Sequence, residues 1–196
     1  MSSRSSPDLP APAALAIHLD AVGGIAGDMF VAAMVDALPA LEAPVLEAVA
    51  AVKPPDRALP VFASATSGAL AARRFGAAAA YAHAGAGAGG AGSTYPDLRA
   101  RIADASLAAV VREHALALLA LLAQAEARVH GIARDAVHFH ELADWDSRMD
   151  VVAAGASAAA LEGAHWSASA PPRGGGTIRT AHGVLPVPGP ATAQLL

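Results

Sequence analysis

The sequence predicts an α/β fold, a layered sheet with packed helices in a single domain, and three observations carry that expectation. A short apolar segment at residues 15–20 runs through a glycine-bearing turn into a stretch with helical periodicity. A longer helical pattern fills residues 97–130, where Leu98, Ile102, Leu107, Val111, Leu118, Leu122 and Val129 recur every three to four positions. Strand-like pieces lie at 137–141 and 177–180, and residues 59–82 have the make-up of a hairpin.

Residues 1–13 are rich in Ser, Pro and Ala without any period and are expected to form a disordered leader, with folded structure from Ala14. The segment 15–20 is a short buried strand and 21–27 a turn. Asp28 is placed to cap a helix over 28–38 that Pro39 stops. A second helix over 43–52 ends before Pro54 and Pro55, since proline disfavours helical geometry in the residue before it. Val61, Phe62, Phe75 and Tyr81 flank Gly68 in the hairpin, and the Gly/Ala run at 82–94 reads as a flexible loop. Within 97–130 a break at 104–106 lets Ser106 cap a new helix, and Gly131 ends it. A further helix spans 147–161, capped by Asp146 or Ser147, and Pro190 opens another.

Hydrophobic residues make up 55% of the 196 but aromatics only 4%, so the expected core is shallow and alanine-rich. Burial stabilises by ~25 cal/mol per Å² of apolar surface. The large side chains that supply such area cluster at 15–19, 29–35, 116–122 and 137–139, which places the interior there.

The formal charge of −4 and the lack of a basic run argue against a nucleic-acid partner. With no cysteine, zinc–thiolate sites, iron–sulfur clusters and thiol nucleophiles are excluded, so any metal must sit on imidazole and carboxylate. The start of the chain makes a poor secretory signal, and no stretch offers ~20 uninterrupted apolar residues for a membrane span. The expected location is cytoplasmic.

The sharpest chemical signal is His138-Phe139-His140-Glu141. Alternation in an extended segment puts both imidazoles on one face and Phe139 on the other. Imidazole suits first-row divalent metals such as nickel, zinc or copper, and the acids at hand are Glu141, Asp144, Asp146 and Asp150. Asp146 and Asp150 share a helix face at i and i+4, and so do Glu126 and His130. The competing possibility is structural histidines beside acids that merely favour a helix N-terminus.

A second signal is Asp20-Ala-Val-Gly-Gly-Ile-Ala-Gly-Asp28. Backbone N–H groups at such a strand–turn–helix junction attract anions, which nominates Gly23, Gly24 and Gly27 for ligand binding. Asp20 and Asp28 would repel a bare phosphate but could hold a cation that bridges to it. The spacing fits neither a phosphate-binding loop of the Walker type nor the dinucleotide fingerprint, so a plain tight turn competes evenly. His18, His114, His165 and His182 read as incidental, and no Ser/His/Asp triad stands out.

With these motifs in hand, the chain resembles the N-terminal part of the nickel-insertion (LarC-type) family. The likeness runs in order through DAVGGIAGDM at 20–29, AEARVHGI at 125–132, VHFHEL at 137–142, Asp146-Ser147 and TAHGVLPVPGPAT at 180–192. It implies a metal-insertion domain over 14–196. The implied activity is that of a lyase-type chelatase: nickel insertion into pyridinium-3,5-bisthiocarboxylic acid mononucleotide, giving the nickel pincer cofactor of lactate racemase. On this resemblance Asp20 and Asp28 are catalytic, Gly23, Gly24 and Gly27 hold the cofactor precursor, and His138, His140, Glu141, Asp146 and Asp150 bind the metal. It also implies CTP and magnesium, bound by a C-terminal, oligomerising part that these residues do not include. A separate CTP-binding subunit and a homo-oligomer are therefore expected partners. The alternatives are a metal-dependent phosphoester hydrolase with magnesium on Asp20 and Asp28, and a non-catalytic subunit or degenerate copy.

Overall fold

The computed structural model describes residues 9–53, 59–77, 93–139, 145–180 and 183–196, with backbone alone for residues 93, 146, 147 and 180. In chain order the elements are β1 (Ala16–Leu19), α1 (Gly27–Ala37), α2 (Glu42–Ala51), β2 (Pro60–Ser67), β3 (Leu70–Ala77), β4 (Ser93–Thr94), α3 (Tyr95–Asp104), α4 (Ala109–His130), β5 (His138–Phe139), α5 (Trp145–Ala160), β6 (His165–Ala168), β7 (Thr177–Thr180), β8 (Gly183–Pro186) and α6 (Pro190–Leu195). The α/β class stands. Among the described residues the strands pair two by two: β1 with β6 in parallel, and β2–β3, β4–β5 and β7–β8 antiparallel.

Helix α5 is the hub. Its Met149, Val152, Ala153, Ala156 and Leu161 just beyond it are buried, and it packs on α1, α2, α4 and β3. Small residues permit this crowding: a Cβ added at Gly155 would lie 2.8 Å from the Ala115 backbone nitrogen of α4. The one buried polar side chain among the described residues, Ser157, is satisfied by donating to the Ala153 carbonyl at 2.9 Å. Around this hub close Val31, Val35, Leu41, Val45, Val49, Leu119, Val137 and Phe139, which include the expected interior segments of α1, α4 and β5. Residues 15–19 are less buried than expected, with Leu15, Ile17 and Leu19 only packed against the core's margin.

Local chemistry explains most boundaries. Gly68 turns the β2–β3 hairpin at φ 60°, where its lack of a side chain costs nothing. Phe62 and Phe75 pair across that hairpin at 4.9 Å between ring centroids. Thr94 and Asp97 form a reciprocal capping box that starts α3, earlier than the periodicity indicated. Gly131, at φ 64°, ends α4, while Ile132 N–H donates to the Ala127 carbonyl at 3.1 Å.

Three expected caps are corrected. Helix α1 begins at Gly27 behind an Ala26 N-cap with no side-chain bond, so Asp28 lies in its first turn. The break between α3 and α4 occurs as expected, but α4 starts at Ala109, not at a Ser106 cap. The reason is Arg112, whose guanidinium donates to the carbonyls of Ala105 and Leu107 at 3.1 and 2.9 Å and holds that linker extended. Helix α5 begins at Trp145, which puts Asp146 and Ser147 inside it. Strand β6 was not foreseen at all. Of the expected leader, residues 1–8 lie outside the described residues, while Pro12–Ala14 form a 3-10 turn and Leu9 packs against the core. Positions 82–92 of the Gly/Ala loop also lie outside them. No described helix is long and apolar enough to cross a membrane.

Candidate functional site

The parallel pair β1–β6 and the turn into α1 bring the first candidate site together. Register sets His18 opposite Ser167, and the strands end side by side at Leu19 and Ala168. Ligands of open α/β sheets sit outside such carboxyl ends. Asp20 follows β1 and Ser169 follows β6; the Ser169 hydroxyl donates to Asp20 Oδ1 at 2.8 Å and accepts from Ala21 N–H at 3.3 Å. One step back along the same face, Ser167 Oγ lies 2.9 Å from His18 Nδ1. His18 on β1 and Asp20 just beyond it are thus each held by a serine of the β6 segment, while both remain exposed.

Beside β1 and under the apolar face of α1 runs a groove of about 510 Å³, with Asp20, Gly24, Ile25, Met29 and Phe30 at its mouth and wall. That size lies within the range of small-ligand pockets. Gly24 sits at φ 93° and its N–H closes the turn onto the Ala21 carbonyl at 3.1 Å, so a residue with a side chain would be strained there. Gly23 faces open space.

Gly27 is needed for a different reason. A Cβ placed on it would lie 2.6 Å from Asp150 Cβ and 2.8 Å from Asp150 Oδ2. The carboxylate of α5 therefore rests against the first turn of α1, where the partial positive charge of the helix end favours an anion by about 0.3–1 kcal/mol. Asp28 is exposed in that same turn. The glycine turn and the acid-bearing helix, far apart in sequence, are neighbours.

The histidine segment is described only in part. Phe139 is buried and His138 exposed, as the alternation required. His138 pairs across β4–β5 with Thr94, near Asp97. The Thr94 hydroxyl and backbone N–H hold the Asp97 carboxyl below its ordinary value, and Arg101 and His138 add to this. His140, Glu141 and Asp144 lie outside the described residues, as does the side chain of Asp146. Glu126 and His130 do meet, at 3.4 Å on α4. Among the described residues no three His, Asp or Glu side chains converge as a ready metal cage.

Three residues of the β1–β6 face escaped the sequence reading: His18, Ser167 and Ser169. The signal was there in the two-residue spacing of His18-Leu19-Asp20 and of Ser167-Ala168-Ser169. It stayed hidden because nothing in the sequence pairs strands 149 residues apart.

The chain matches the nickel insertion protein family over residues 17–196. It is 42% identical over 184 residues to a protein of Geobacter metallireducens described as a nickel insertion protein, covering 92% of this chain and 44% of that one. A protein of Myxococcus xanthus with the same description is 38% identical over 181 residues, covering 92% and 45%. A third relative, from Nocardioides, is 38% identical over 179 residues, 91% of this chain and 43% of its own, and is named a pyridinium-3,5-bisthiocarboxylic acid mononucleotide nickel insertion protein. The chain thus spans under half the length of the curated relatives it matches. No solved structure matches it.

Proposed function

Because the chain belongs to the nickel insertion protein family, we propose that it takes part in placing nickel into pyridinium-3,5-bisthiocarboxylic acid mononucleotide, the reaction for which its Nocardioides relative is named. The product would be the nickel pincer cofactor of lactate racemase. Nickel is here a substrate, and so is the mononucleotide.

The observation that carries this reading is the contact between Gly27 and Asp150. It joins the turn assigned to the nucleotide with the helix assigned to the metal. The mononucleotide would lie in the groove beside β1, the aromatic face of its pyridinium ring against Phe30 and Met29 and its ribose hydroxyls toward Asp20. Asp28 and Asp150 put negative charge at the α1 turn, so a phosphate approaching there requires a cation to screen it. His138, His140, Glu141, Asp146 and Asp150 remain the proposed nickel ligands, since imidazole and carboxylate together suit this ion. CTP and magnesium would be handled by the portion that the relatives have in addition, and no residue of this chain is assigned to them.

The test is to incubate the protein with nickel, the mononucleotide, CTP and magnesium, alone and with a polypeptide that supplies the relatives' additional portion. Mass spectrometry should find the nickel adduct in at least one arm. Unchanged mononucleotide in both arms defeats the reading.

A further inference from the structure

We propose that His18 and Asp20 form an entry site for a divalent first-row cation at the mouth of the β1 groove. This rests on the nickel-insertion reading and gives the ion a place to land beside the bound nucleotide, apart from the His138 segment.

Four observations support it. His18 and Asp20 are two positions apart on a strand and its immediate extension, hence on one face, the same spacing that lets two side chains of a strand reach one ion. Both are exposed, and Asp20 lines the groove together with His18. Each is oriented from behind. Ser167 Oγ also lies 3.4 Å from the Ile17 carbonyl. If its hydroxyl donates there, it accepts from His18 Nδ1–H and leaves Nε2 as the free lone pair. An imidazole anchored through one nitrogen is how metal-binding histidines are commonly held. Likewise Ser169 donates to Asp20 Oδ1 and leaves Oδ2 for the ion.

The donor set also matches the task. One nitrogen and one carboxylate oxygen leave most coordination positions of a nickel ion to water, so the ion is held loosely enough to be handed on. A closed four-ligand site would retain it. The outer face of β1–β6 bears Ala16, His18, His165 and Ser167, small or polar groups that leave room for a hydrated ion.

The experiment titrates the full chain with Ni²⁺ alone and follows the ring C–H resonances of its eight histidines, which paramagnetic nickel broadens when bound. His18 should broaden at low nickel, and His138→Ala should leave that response intact. Asp20→Asn and Ser167→Ala should each raise the nickel concentration required by on the order of tenfold, with unchanged circular dichroism. A His18 ring that broadens no earlier than half-buried His114, or one indifferent to Asp20→Asn, overturns the proposal. The insertion assay answers separately: adduct formation with a silent His18 removes this site and keeps the function, whereas nickel at His18 with no adduct in any arm removes the function and keeps the site.

Discussion

Replacing Gly27 by alanine tests the junction of α1 and α5. The added methyl would sit 2.6 Å from Asp150 Cβ, 2.9 Å from its Cγ and 2.8 Å from Oδ2, all well inside van der Waals contact. The nearest of these atoms is a Cβ, fixed to the helix backbone, so rotating the carboxylate away does not relieve the overlap and the helices must part. Forced overpacking costs about 1–3 kcal/mol, and alanine's better helix propensity returns roughly 0.5–1. Taking the middle of each range, the net expectation is a loss of about 1 kcal/mol, which for a chain of this size lowers the melting temperature by roughly 2–4 °C. Thermal and urea unfolding of Gly27→Ala, Asp150→Gly and the double variant form the assay. In the Asp150→Gly background the alanine should be neutral or slightly stabilising, because its neighbour is gone. A Gly27→Ala protein as stable as the parent, or a cycle with no coupling, refutes the geometry and with it the link between the turn and the acid helix.

Two further outcomes follow from the same structure. Gly155→Ala should destabilise despite placing a better helix former in mid-helix, because its Cβ meets the Ala115 backbone at 2.8–2.9 Å; a cost of about 1–3 kcal/mol in urea unfolding is expected, and a gain would contradict the packing of α4 on α5. Asp97, lowered by its bonds to Thr94, stabilises the start of α3 above its unfolded-state value near 3.8 and loses that contribution as pH falls through its lower folded value. The protection factors of the Thr94 and Asp97 amides, exchange corrected for its intrinsic pH dependence, should therefore fall in acid below about pH 4, and Asp97→Asn should remove that loss.

Much of this was legible in the chain. Helix periodicity located α1, α2 and the α3–α4 pair, and Gly68 and Gly131 marked a turn and a helix end, because these signals are local. The Asp20–Asp28 segment was recognisable as strand, turn and helix for the same reason. What stayed hidden depends on long-range placement. Ser106 has the chemistry of a cap, yet Arg112 claims the adjoining carbonyls and the helix starts later. Asp28 looks like the α1 cap, but the helix starts one residue earlier behind an Ala26 N-cap, with Gly27 lying against Asp150. Strand β6 is four residues, all exposed, with no apolar alternation to betray it, and only its partner β1 makes it a strand. With β6 unseen, His18 had no partner and no role.

The pairing of β1 with β6 ties residues 16–19 to residues 165–168. Closing so long a stretch of chain is entropically unfavourable and slow compared with helix formation. On the ribosome, His18 and Asp20 emerge early and then wait for their serines until nearly the whole of the described fold has been synthesised. If His18 and Asp20 do take up an ion, their serine supports Ser167 and Ser169 are in place only once that late segment has been made and paired.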